Sequence, residues 1–229
     1  MFDYNSFDVN YYKQCIDNYD ELRAYNTKIL KNEITIEKIK KFENDREYNN
    51  IIEEIIKNLK NTEKKKFIPN VSERYTMPIN NISINKLLKK IIPYFEKIYN
   101  CYLKIIDLKI LKHFKGNHKE GAFVWHYDNH RRTIINVIIY LNDVEKNYGG
   151  MEYLTIDNIV VKKEFTRPAG NRNMENFVRN NPCRINQVLG EKSTIFYFDN
   201  NIIHRAGTSL TNEREAIILQ LYPSLNKIY

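Results

Sequence analysis

Trp125-His126-Tyr127-Asp128, with the apolar run over residues 134–141 behind it, is the stretch on which the fold turns. In an extended chain, residues i and i+2 project to the same face. The His126 imidazole and the Asp128 carboxylate therefore stand side by side at the mouth of a strand. The run that follows is rich in Ile and Val and apolar on both faces, which suits a strand sandwiched between two layers.

Downstream, residues 151–155 resume the strand pattern, 193–198 repeat it, a short segment ends at His204, and a last strand runs over 214–222. Upstream, Ile106, Leu108 and Ile110 alternate with Asp107 and Lys109, again with period two. Before residue 100 the period changes. Apolar positions from Ile36 to Leu59 recur every three to four residues, and so do those from Leu87 to Tyr99. The first set predicts a helix ending near the 62–66 cluster; the second predicts a helix capped by Ser83 and kinked or split at Pro93. Residues 67–81 read as an extended connection. Helices first and short strands afterwards predict an α+β chain, with a mostly helical part (1–100) packed on the sheet of a jelly-roll core (101–229). Residues 157–186 hold Arg167, Arg172, Arg179 and Arg184 with little apolar periodicity, and read as a lid-like insert.

The totals bound the function class. With 229 residues, 42% hydrophobic and 13% aromatic, the chain is long enough for one sizeable core. The net charge of +8 does not indicate a nucleic-acid partner, because the lysines are spread through a chain generally rich in Lys, Asn, Ile and Tyr. The one block, Lys64-Lys65-Lys66, reads as a solvated helix end. No apolar run is long enough to span a membrane and no signal peptide is evident. Cys15, Cys101 and Cys183 are odd in number and widely spaced, as free thiols in a cytoplasmic protein would be.

One His-x-Asp pair is a weak signal. Its weight comes from what accompanies it. His204 ends a later strand, and Arg214, ten residues on, opens another with Ala216, Ile218 and Gln220 on its own face. Two histidines and one carboxylate that leave other positions open suit a non-haem Fe(II) centre with His126, Asp128 and His204 as ligands. An arginine aimed into an apolar barrel calls for an anion, and an organic acid beside the metal would supply it.

The order His-x-Asp, distal His, then Arg resembles the Fe(II)/2-oxoglutarate-dependent dioxygenases with a double-stranded β-helix core. Tyr140-Leu141-Asn142-Asp143-Val144 and Gly149-Gly150-Met151-Glu152-Tyr153 resemble the phytanoyl-CoA dioxygenase-like members, with prolyl hydroxylase-like enzymes second, since those usually carry Lys where Arg214 stands. The resemblance covers about 103–222. It implies 2-oxoglutarate and O2 as co-substrates, Arg214 on the distal carboxylate, and hydroxylation of a substrate with succinate and CO2 as co-products. The Ser or Thr that some members place two residues after the distal histidine is Ala206 here, so Thr133, Asn136 or Thr208 is expected to help hold the co-substrate. The insert arginines, with Arg131 and Arg132, point to a small, anionic substrate. A protein side chain modified by a prolyl hydroxylase-like enzyme, and a cupin-like metal-binding jelly roll without oxygenase activity, are the alternatives.

Overall fold

A computed structural model describes residues 36–229, apart from 79, 100, 101, 131–133, 167, 169 and 225. Cys15, Cys101, Arg131, Arg132, Thr133 and Arg167 lie outside the described residues. The chain runs through β1 (Ile36–Lys38), α1 (Arg46–Leu59), β2 (Lys64–Ile68), β3 (Ser72–Tyr75), α2 (Ile82–Tyr99) and β4 (Tyr102–His113). It continues through β5 (His126–Tyr127), β6 (Ile135–Tyr140), β7 (Met151–Ile156), β8 (Ile159–Val160), β9 (Arg172–Asn173) and α3 (Glu175–Arg179). It closes with β10 (Arg184–Gln187), β11 (Ile195–Asp199), β12 (His204–Ala206) and β13 (Arg214–Ser224).

The strands form two antiparallel sheets. The larger has the order β1-β11-β6-β13-β4-β3-β2, and the smaller β10-β7-β12-β5-β9 with β8 on β7. This is the expected α+β jelly roll with helices packed on one sheet. Alternation along the central strands separates two layers. Val137, Ile139, Ile195, Tyr197, Ile217, Leu219 and Leu221 face α1 and α2, where Ile52, Ile55, Leu87, Leu88, Ile91 and Phe95 meet them. Tyr140, Phe196, Phe198 and Ala216 face the smaller sheet. Each fully buried Ile or Leu in the helix layer contributes roughly 1.5–3 kcal/mol, so this layer is the rigid backing of the molecule.

Several local expectations change. Asn81, not Ser83, caps α2: its Oδ1 accepts from the Ser83 and Ile84 amides at 2.9 and 3.3 Å. Ser83 is buried and instead donates to Glu54. The α2 helix runs unbroken through Pro93, because Pro93 and Lys89 both lie on its exposed face, where water can satisfy the carbonyl that proline leaves free. Residues 64–75 are no mere connection. They form the β2–β3 hairpin that extends the larger sheet, and Lys64-Lys65-Lys66 lies on its edge strand, where lysine discourages pairing with another chain. The 157–186 segment, read as a lid-like insert, contributes β8, β9 and β10 to the smaller sheet. No helix among the described residues is long and apolar enough to cross a membrane.

Candidate metal centre

The smaller sheet assembles the site. His204 on β12 lies directly opposite His126 on β5 on one side and Tyr153 on β7 on the other. Asp128 leaves β5 just beyond His126, and its amide donates to the Asn200 carbonyl at 2.9 Å. One ligand atom from each of His126, Asp128 and His204 falls within 4.8 Å of the others, and all three side chains are buried. Asp128 Oδ1 is 3.6 Å from His126 Nε2 and 3.9 Å from His204 Nε2. Donors each about 2.1 Å from one ion and roughly perpendicular are about 3 Å apart, so a small contraction would close the three around a metal.

Both imidazoles are oriented for that task. The Nδ1 of His126 bonds the Val124 carbonyl at 2.8 Å, and that of His204 the Ile202 carbonyl at 3.0 Å. Each carbonyl accepts only a proton-bearing nitrogen, so Nε2 is the free lone pair in both rings. Burial, together with the adjacent His126, lowers the His204 pKa to about 4, which keeps the ring neutral and ligand-competent at neutral pH. Asp128 Oδ2 accepts from Asn136 Nδ2 at 2.6 Å. That bond leaves Oδ1 turned to the two imidazoles. The donor set and its orientation fit a divalent metal.

Arg214 opens β13 opposite His113 and shares a face with Ala216, Ile218 and Gln220. Gln220 pairs with Asn136, the residue that holds Asp128, so arginine and metal cluster border the same inter-sheet space. Ile138, Ile218 and Gln220 lie on central strands yet are only half-buried, whereas the alternate residues Val137, Ile139, Ile217 and Leu219 are fully buried. The partial exposure lies on the face toward the smaller sheet, so a hollow separates the sheets there.

The Arg214 side chain is buried, and one amino group donates to the Gly149 carbonyl while the other meets His113 Nδ1. Its Nε has no partner. Burial pulls its pKa down, yet guanidinium stays charged in proteins. Gly149 can present its carbonyl because it adopts a φ of +77°, and a Cβ there would come within 3.0 Å of the Gly207 carbonyl oxygen.

The remaining expected residues divide. Asn136 donates through Nδ2 to Asp128, and its Oδ1 is buried without a partner. Thr208 is half-buried in the turn between β12 and β13. Ala206 sits in an apolar cluster with Val71 and Phe123. Trp125 points away from the metal cluster, packing with Leu154 and Ile203 beneath the Arg205 guanidinium, whose carbon is 4.4 Å from the ring.

Three asparagines were not anticipated. Asn129 holds the Thr166 and Pro168 carbonyls at 2.8 and 2.9 Å and the Thr166 amide at 2.8 Å. Asn200 bonds the Ile134 carbonyl, and Asn201 that of His130. Asn129 thus ties the loop after Asp128 to Thr166 and Pro168, while Asn200 and Asn201 tie that loop to the one before His204. Composition concealed them, since asparagine is abundant throughout the chain.

No family model matches this sequence, and no curated protein matches it either. Solved structures do match in three dimensions. The epimerase SnoN, in complex with Fe3+, α-ketoglutarate and nogalamycin RO, superposes with a TM-score of 0.58 at 15% identity, over 83% of this chain and 80% of that one. HygX from Streptomyces hygroscopicus, with nickel, 2-oxoglutarate and hygromycin B bound, gives 0.58 at 13% identity over 85% of each chain. The non-haem α-ketoglutarate-dependent carbocyclase SnoK gives 0.55 at 13% over 83% of this chain and 80% of that one. The chain therefore has the double-stranded β-helix fold of the non-haem iron, 2-oxoglutarate-dependent enzymes, with a His-Asp-His cluster between its sheets.

Proposed function

We propose that this protein is a non-haem Fe(II)- and 2-oxoglutarate-dependent oxygenase that hydroxylates a small, polar molecule. The carrying observation is the pairing of two unlike sites in one hollow. A buried His-Asp-His cluster presents two imidazole lone pairs and a carboxylate oxygen, and a buried guanidinium lies beyond it with only neutral groups bonded to it. A buried cation of that kind is costly unless an anion joins it. The dicarboxylate 2-oxoglutarate would satisfy both ends, one carboxylate on the metal and the other on Arg214, whose planar fork matches it. When bound, iron and the keto acid supply O2 activation coupled to release of CO2 and succinate. The protein's part is to orient the ligands through Asn136 and the two backbone carbonyls, and to keep the hollow closed by the helix-backed sheet.

The substrate side is polar rather than uniformly basic. Lys109 and Asp107 pair with one another on the inner face of β4, and Gln220 stands beside them on β13. Of the insert arginines, Arg179 and Arg184 are exposed and Arg172 is bonded to the Pro168 carbonyl. These features support a small, hydrogen-bonding substrate, whether or not it carries negative charge. The SnoN and HygX structures hold molecules of that size, nogalamycin RO and hygromycin B.

The test is succinate formation from 2-oxoglutarate with Fe(II), ascorbate and O2. Turnover is expected in the parent protein and absent in Asp128→Ala; iron-independent activity, or none with either protein, refutes the proposal. SnoN and SnoK are an epimerase and a carbocyclase, so the product mass decides the outcome of the reaction. Hydroxylation adds one oxygen, ring closure removes two hydrogens and epimerisation changes nothing.

A further inference from the structure

We infer that His113 is a positioning residue of the co-substrate site, a neutral anchor that fixes Arg214 without cancelling its charge. The inference rests on the 2-oxoglutarate reading above. His113 ends β4 directly opposite Arg214, and both side chains are buried. Arginine offers only donors, so the His113 Nδ1 that meets it must be an unprotonated acceptor. Burial, and then the adjacent Arg214 cation, hold the imidazole pKa well below its ordinary value, in keeping with that role. Phe123 packs edge-on against the ring at 5.2 Å and restricts its rotation.

The Gly149 carbonyl anchors the second amino group. Both terminal nitrogens are thus held by acceptors that carry no net charge, and the positive charge stays available to a ligand. A carboxylate at position 113 would make a stronger bond to Arg214 yet occupy it as the ligand's competitor. The usual partner of a buried arginine is such an acid. An imidazole here orients the cation while leaving its charge to an incoming anion.

The charge requirement separates this role from simple packing. Calorimetric titration reads 2-oxoglutarate binding to the Mn(II)-loaded protein without turnover. His113→Gln, which keeps an acceptor, should bind 2-oxoglutarate within about threefold of the parent protein. His113→Leu should weaken binding about tenfold, the scale of one lost hydrogen bond to a charged group. His113→Glu should weaken it about a hundredfold, and all three should retain the parent affinity for Mn(II). Equal affinity in Gln and Leu variants, or parent-like binding by Glu, overturns the inference while leaving the co-substrate proposal standing. Should Glu fail to fold, the Gln and Leu pair decides. A parent protein that binds Mn(II) but not 2-oxoglutarate removes both.

Discussion

At the scale of single residues, the metal cluster is specified less by its ligands than by what holds them. Asp128 could turn either oxygen to the histidines; Asn136 decides which, through its 2.6 Å bond to Oδ2. Outer partners of this kind typically matter 10–100-fold in metal affinity. Asn136→Leu should therefore weaken Mn(II) binding by about that factor while the melting temperature of the metal-free protein changes little, since Asn136 Oδ1 is already buried without a partner. Calorimetric titration of the metal would show it, and parent-like affinity would return Asn136 to the co-substrate role first expected of it. The ligands themselves were legible because His-x-Asp on a strand has only one geometric outcome. Asn136 was legible as a nearby polar residue but not as a ligand's partner, because that depends on a turn whose path sequence parity does not give.

At the scale of elements, the smaller sheet owes its integrity to loops. Its strands are short, β5 having two residues and β12 three. The 157–186 segment supplies three of its members, and Asn129, in the left-handed conformation at φ 48°, bonds that segment from the position next to Asp128. Removing several buried hydrogen bonds costs a few kcal/mol, too little to unfold the larger sheet. Asn129→Ala should leave α1 and α2 protected while amide exchange accelerates over 164–170; uniform acceleration, or none, would mean the segment is held by something else. The insert looked like a lid because its apolar residues show no period. Strands of two residues are too short to show one, so pairing partners rather than pattern make them strands. The hairpin of β2 and β3 was missed for a related reason, its first strand opening with three lysines on an edge that needs no apolar face.

At the scale of the whole molecule, a metal would cross-link β5 and β12, which pair with each other only at His126 and His204. Protons compete for the same atoms. The folded-state His204 pKa of about 4 lies below its unfolded value near 6.5. Between those values the unfolded chain binds the extra proton, so stability is complete above about pH 6.5 and declines as pH falls toward 4. His113, displaced in the same direction by burial, adds to the slope. The metal-free protein should melt several degrees lower at pH 5 than at pH 7, and Mn(II) should raise the melting temperature at pH 7 more than at pH 5. A pH-independent melting temperature would show that neither histidine is buried in solution as it is here.

The sequence by itself determined the chemistry-bearing residues and the layer order. Period two after residue 102 and a helical period before it suffice for strands backed by helices, and side-chain parity puts His126 beside Asp128 and Arg214 on the face of Gln220. Those are local consequences of backbone geometry. Only the tertiary structure decided which neutral groups hold the Arg214 charge, which asparagines tie the ligand loops and where the short strands pair. Each depends on segments far apart in the chain, such as His113 and Arg214 or Asn129 and Thr166, meeting across a register that no local pattern encodes.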